Sequence, residues 1–148
     1  METSIQIDSS RLHNFLERVP AMADRLMREF KSDVGELVQG EMVREAPFDR
    51  GILSMLILVD ESQPDAVVVK STAAYTRWVV GGTGIFGPAG RRIFPVRAQA
   101  LRFKIGGRTV FARSVKGMVA NPFIERAKTA SVPKVKELVA RLVREAYQ

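Results

Sequence analysis

Apolar residues fall at three- and four-residue intervals over a long stretch near the start of the chain: Leu12, Phe15, Leu16, Val19, Met22, Ala23, Leu26, Met27, Phe30, Val34, Leu37, Val38 and Met42. That spacing follows the 3.6-residue period of a helix. Arg18, Asp24, Arg25, Arg28, Lys31, Asp33 and Glu41 fall on the other side, so the segment predicts a long amphipathic helix with one face to cover. Ser9 or Ser10 suits its N-cap. Pro20 would kink or restart it, and it should end before Pro47, because the residue preceding a proline is pushed out of the helical region. A chain of 148 residues can bury roughly two thirds of its unfolded surface, enough for one domain over 1–148 that covers such a face.

The remaining punctuation predicts a small sheet. Asp49, Arg50 and Gly51 read as a turn, and the apolar run Ile52 to Val59 suits a strand. Gln63, Pro64 and Asp65 mark a second turn before a strand over Ala66 to Lys70, which makes a hairpin of the pair. Ala73 to Val80 reads as one or two helical turns. Gly81 to Gly90 is rich in glycine and contains Pro88, so a flexible loop is expected over about 81–95, leaving through an extended Arg91 to Pro95. Leu101 to Ile105 and Thr109 to Arg113 flank Gly106 and Gly107, a hairpin signal. A last helix can take Asn121 as cap and Pro122 in its first position, with a break possible at Pro133. The resulting expectation is an α+β fold, with an N-terminal and a C-terminal helix packed on a small, mainly antiparallel sheet.

Charge divides the chain unevenly. Between Ala66 and Ile124 there is no Asp or Glu, while Lys70, Arg77, Arg91, Arg92, Arg97, Arg102, Lys104, Arg108, Arg113 and Lys116 are all positive; the whole chain carries +7. A basic middle between acidic ends suggests a polyanion or an acidic protein surface as neighbour. Repetition in a ring would serve as well, the basic middle of one copy meeting the acidic helix of the next. Trp78, Phe86, Phe94, Phe103 and Phe111 lie among these cations, a mixture suited to stacking on bases between phosphate contacts. Alternation gives Phe103 an equally good place in a half-covered strand, sharing a face with Leu101 and Ile105 while Arg102 and Lys104 point the other way.

Several chemistries find no residues here. Cysteine is absent, which removes disulfides and thiolate sites, and His13 is the only imidazole, so no metal site and no Ser-His relay is expected. Gly82-Thr83-Gly84-Ile85-Phe86-Gly87 matches the letters of a dinucleotide loop. Pro88, Gly90 and Pro95 interrupt the helix that would hold the pyrophosphate, and no acid follows for a ribose. Thirteen of the sixteen acids precede Ala66, many on the exposed side of the first helix, where they read as solvated charge. No catalytic residue and no cofactor is predicted, and no apolar run is long enough to cross a bilayer. The opening residues carry no secretory pattern, so folding in the cytoplasm is expected.

Five separated pieces occur in a telling order after the long helix: Ala46-Pro47-Phe48-Asp49-Arg50-Gly51-Ile52-Leu53; Tyr75; Val79-Val80-Gly81-Gly82-Thr83-Gly84; Ile93-Phe94-Pro95; and Gly117-Met118-Val119-Ala120-Asn121-Pro122-Phe123-Ile124-Glu125-Arg126-Ala127. Together they resemble the tail-completion and neck (head-tail joining) family of long-tailed bacteriophages, to which the Z protein of phage lambda is similar, over roughly residues 10–130. Arg50 stands where that family usually has threonine, and Gly81 where an acid often precedes the Gly-Thr pair. Pro47, Gly51, Tyr75, Gly82, Thr83, Pro95, Pro122 and Phe123 match as scaffold positions.

The resemblance implies a structural virion protein rather than an enzyme: a ring, hexameric where it meets the tail tube, assembled in the host cytoplasm with other neck, connector and tail-tube proteins. In that setting the 81–95 loop would reach a neighbouring subunit or line a DNA-filled channel, which makes Trp78, Arg91, Arg92, Phe94 and Arg97 candidates for interface or channel contacts. The competing reading is a non-specific DNA-binding module that uses the basic, acid-free segment 66–124.

Overall fold

The structure, a computed structural model, describes residues 3–17, 20–48 and 50–146. Arg18 and Val19 of the expected helix and Asp49 of the expected turn lie outside them. In chain order the elements are β1 (Ser4–Asp8), α1 (Ser10–Leu16), α2 (Pro20–Glu45), α3 (Ile52–Met55), β2 (Ile57–Asp60), β3 (Ala66–Ser71), α4 (Thr76–Gly81), a 3-10 turn (Gly84–Phe86), β4 (Leu101–Ile105), β5 (Arg108–Ala112) and α5 (Phe123–Ala146). The fold is α+β, and the chain divides into two compact units, one over Arg77–Pro122 and one from the residues before and after it.

The larger unit is built on α2, which packs against β2, β3 and α5. Its buried positions Phe30, Val34, Val38 and Met42 recur every fourth residue along one stripe. Beneath them lies an antiparallel sheet in the order β1-β3-β2, with Val67 and Val69 of the central strand fully buried at a spacing of two. Gly35 sets how close the helix can come: a Cβ there would stand 2.6 Å from Val59 Cγ1 and 3.3 Å from Val67 Cγ1. A side chain at this position would force Val59 or the helix to move. From α5, Phe123, Ile124, Ala127, Leu138 and Leu142 complete the core. Glu41, buried on α2, is held between Arg44 of its own helix and Lys134 of α5, so its carboxylate is not left uncompensated.

Three sequence expectations need correction. The first element is a strand, not a helix: Ile5 and Ile7 alternate with polar residues and pair with Val69 and Val67 of β3. That short period is overshadowed by the helical pattern beside it, and its partner lies some sixty residues on. Pro20 restarts the long helix, one of the two outcomes expected of it: α1 ends at Leu16 and α2 begins at Pro20, whose missing N–H costs nothing in a first turn. Ser9 occupies the N-cap of α1, yet its hydroxyl donates to the Asp65 carbonyl at 2.7 Å, and Asp8 Oδ1 accepts the Ser10 N–H instead. Ile52–Met55 is a helical turn rather than the start of a strand. Arg50 and Gly51 both adopt positive φ, 58° and 72°, and this reversal lets the Met55 N–H return to the Gly51 carbonyl.

Helix α2 ends at Glu45, ahead of Pro47 as expected, and the β2-β3 hairpin and helix α4 form where the sequence placed them. Helix α5 begins at Phe123, one residue after Pro122, and runs through Pro133 unbroken. Apolar residues buried on both sides of Pro133 hold the helix together across the one missing hydrogen bond.

The smaller unit is organised differently. Ile93 and Val115 exchange two backbone hydrogen bonds, 2.9 and 3.0 Å, and β4 and β5 form an antiparallel hairpin. Gly106 and Gly107 make its two-residue turn with φ of 55° and 81°, the sign pattern of a type I′ turn. Val79, Gly82 and Gly84 are buried, and no residue from 85 to 122 is. Among the described residues, no helix is long and apolar enough to cross a membrane, and no group of acids and histidines is arranged to hold a metal ion.

Two outcomes are expected. Phe123→Ala removes a fully buried ring and should lower the stability of the larger unit by about 3–5 kcal/mol, read from the urea midpoint with an unchanged m-value. Hydrogen bonds from Lys70 and Ser62 hold the Asp60 carboxyl well below its usual range. A lowered folded pKa contributes stability that is present above the unfolded value of 3.8 and is lost as the pH falls below it. Asp60→Asn should therefore lower Tm at neutral pH, by a difference that shrinks on acidification.

Candidate interaction surface

The glycine-rich stretch of the smaller unit is held by crossing another backbone. The Thr83 N–H donates to the Met118 carbonyl at 2.8 Å, and the Ile85 N–H donates to the Lys116 carbonyl at 2.8 Å. The Met118 N–H returns to Thr83 Oγ1 at 2.9 Å, and the Asn121 N–H donates to the Val79 carbonyl at 2.9 Å. At the crossing a Cβ on Gly84 would stand 2.1 Å from the Lys116 oxygen, and one on Gly117 would stand 2.1 Å from the Thr83 oxygen. Both glycines also have positive φ, 64° and 95°. The Gly-Thr-Gly signature is thus a backbone lock, with Thr83 supplying a hydroxyl acceptor that valine could not.

The sequence-predicted residues are distributed around this lock. Gly82, at φ 72°, would bring a Cβ within 2.7 Å of the Phe86 oxygen, so its role is conformational. Trp78 projects from α4, 46% exposed, with the Arg77 guanidinium 4.4 Å from its ring centre, a cation–π contact worth about 0.5–1 kcal/mol at such a site. An open cavity of about 510 Å³ lies beside it, walled by Arg77, Trp78, Thr83, Pro88 and Ile93 among others. Arg91, Arg92 and Arg97 are exposed, and Arg92 Nε donates to Ser114 Oγ at 2.9 Å. Phe94 is 60% exposed and Pro95 is half-buried. Pro122 is exposed, next to the start of α5. In the larger unit Pro47 is half-buried, Gly51 starts α3 and Tyr75 is exposed, while Phe123 belongs to the core.

Three features of this surface leave little trace in the sequence. Gly84 and Gly117 act as a pair, and although the glycine-rich run announces a loop at Gly84, nothing local links it to Gly117. Val96, 95% exposed, continues the apolar edge begun by Phe94. The third is the β4-β5 register. Arg102 lies opposite Phe111 and Lys104 opposite Thr109, so these four share one face, and Leu101, Phe103, Val110 and Ala112 share the other. The second face is half-buried and the first is exposed, with Phe111 at 66%. Within Arg77–Pro122 there are nine basic residues and no acid, so none of them has an ion-pair partner inside its own unit.

Gly84→Ala, which combines a positive φ with a clash against backbone, should unlock the crossing at a cost above about 2 kcal/mol. Amide hydrogen exchange should then rise over 82–87 and 115–121 while α2 and β3 keep their protection.

No family model, curated protein or solved structure matches this chain.

Proposed function

We propose that the chain is a structural protein of the phage neck or tail terminus, completing the tail or joining it to the head as one subunit of a ring, and not an enzyme. The observation that carries this reading is the unit over Arg77–Pro122, which exposes apolar side chains instead of burying them. Trp78, Ile85, Phe86, Ile93, Phe94, Val96, Ile105, Phe111, Met118 and Val119 are all at least 37% exposed, and Val79 is the only large apolar side chain of that unit among the buried core residues. A unit of this size with so little core would gain further stability from being covered, and apolar surface rimmed by charge marks a protein contact. The backbone lock presents this surface in a set shape before any partner arrives, which suits a subunit that must fit a neighbour.

The resemblance in sequence agrees with this role. Its pieces fall on the turn before α3, on the glycine lock, on the extended Ile93-Phe94-Pro95 and on the start of α5, all positions where they shape backbone and none where they would perform chemistry. In this reading the 91–97 segment meets the neighbouring subunit, and the ring is a hexamer at the tail tube.

The test is the solution mass of the purified protein with negative-stain images, alone and with tail tubes. Rings, or binding confined to one end of a tube, are expected. Phe94→Ser with Val96→Ser should weaken assembly by about tenfold or more, as truncating central apolar anchors does. A monomer that ignores tube ends would overturn the reading.

A further inference from the structure

We propose that the β4-β5 hairpin is a sequence-tolerant contact for the phosphate backbone of double-stranded DNA, made through the face that carries Arg102, Lys104 and Phe111. This goes beyond the structural role above and does not depend on it.

Charge selects the class of partner. Nine cations and no anion within Arg77–Pro122 make a field of one sign, and seven of the nine are arginine, whose planar guanidinium pairs with phosphate oxygens two at a time. Protein surfaces carry mixed charge, and a neighbour of uniformly opposite sign is a polyanion. Shape narrows the class further. The hairpin is a two-stranded ribbon with five residues in each strand, a tight two-glycine tip and no buried residue on either face. Such a ribbon fits the major groove of a duplex, which is about 12 Å wide. Its pleat sets Arg102 and Lys104 about 6.7 Å apart on one side, in line along the strand, and both are exposed. Phe111, directly across from Arg102, adds an exposed ring suited to apolar contact with deoxyribose along the strand. The same face carries two exposed cations and no carboxylate, so contacts to phosphate oxygens, which carry no sequence information, dominate the proposed binding.

The experiment is fluorescence anisotropy of the full-length protein with a short labelled mixed-sequence duplex, titrated at several salt concentrations between about 50 and 200 mM. Wild type should bind with a steep fall of log K against log salt. Arg102→Gln with Lys104→Gln should weaken binding equally for unrelated duplex sequences and reduce that slope by about two, one for each phosphate no longer neutralised. Arg28→Gln with Lys136→Gln, exposed cations of the larger unit, should leave the slope unchanged. Circular dichroism and solution mass, measured on both variants, separate a defect in binding from a defect in folding or assembly. A hairpin variant that still assembles but no longer binds DNA supports the inference, and a monomeric wild type that binds DNA supports it while removing the ring. Absence of wild-type binding at the lowest salt, or equal weakening in the two variants, overturns it. Competition by polyglutamate as effective as duplex at equal charge also overturns it, because the surface would then belong to an acidic protein.

Discussion

Helix α2 lies as close as it does to the three-stranded sheet because position 35 has no side chain. With a Cβ there 2.6 Å from Val59 Cγ1 and 3.3 Å from Val67 Cγ1, a larger residue would force those valines or the helix to shift. Glycine within a helix costs roughly 0.5–1 kcal/mol relative to alanine, and here that cost is offset by the close packing of several fully buried aliphatic residues. The other end of the same helix is pinned by charge. Glu41 meets Lys134, and Glu45 Oε2 accepts from Arg126 Nε at 2.9 Å, so α5 is held in register on α2 by ion pairs as well as by apolar contact.

The smaller unit solves the same problem by other means. Where the larger unit orders itself through burial, this one orders itself through backbone hydrogen bonds between 83–85 and 116–118 and through glycines that let two chains cross closer than side chains would permit. Hydrogen bonds exposed to water contribute little net stability each, so a lock of this kind defines shape better than it resists unfolding. That division agrees with the proposed role, in which these apolar residues meet a neighbouring subunit. It also accounts for Pro88 and Pro95 in the same stretch, since proline lowers the freedom of an unburied chain without disturbing any core.

Charge and apolar exposure coincide on this unit. In the proposed role, the exposed aliphatic and aromatic residues around Ile93 to Val96 would provide contact area, while uniform positive charge would set which neighbours are admitted and repel a like surface. A homotypic contact between two such units would bring cations together, so the proposed ring would set the basic unit of one copy against a different surface of the next. This is a heterologous contact, the kind that closes into rings.

Much of the architecture was legible locally. The four-residue spacing of Phe30, Val34, Val38 and Met42, the prolines at 20 and 47, and the two glycines at 106 and 107 specify helix, helix ends and hairpin turn through short-range sterics and periodicity. The acid-free middle and the absence of cysteine were likewise determined by sequence alone, since charge and chemical inventory need no fold. Tertiary structure decided the rest. Strand β1 exists because β3 lies across from it, Ile52–Met55 turns helical because Arg50 and Gly51 reverse the chain, and Pro133 stays inside α5 because core contacts flank it. The Gly-Thr-Gly letters take their meaning only from Lys116 and Met118 lying against them, a pairing between residues more than thirty positions apart. Periodicity and turn chemistry act within a few residues, whereas which backbones cross and which faces remain uncovered depends on contacts between distant segments.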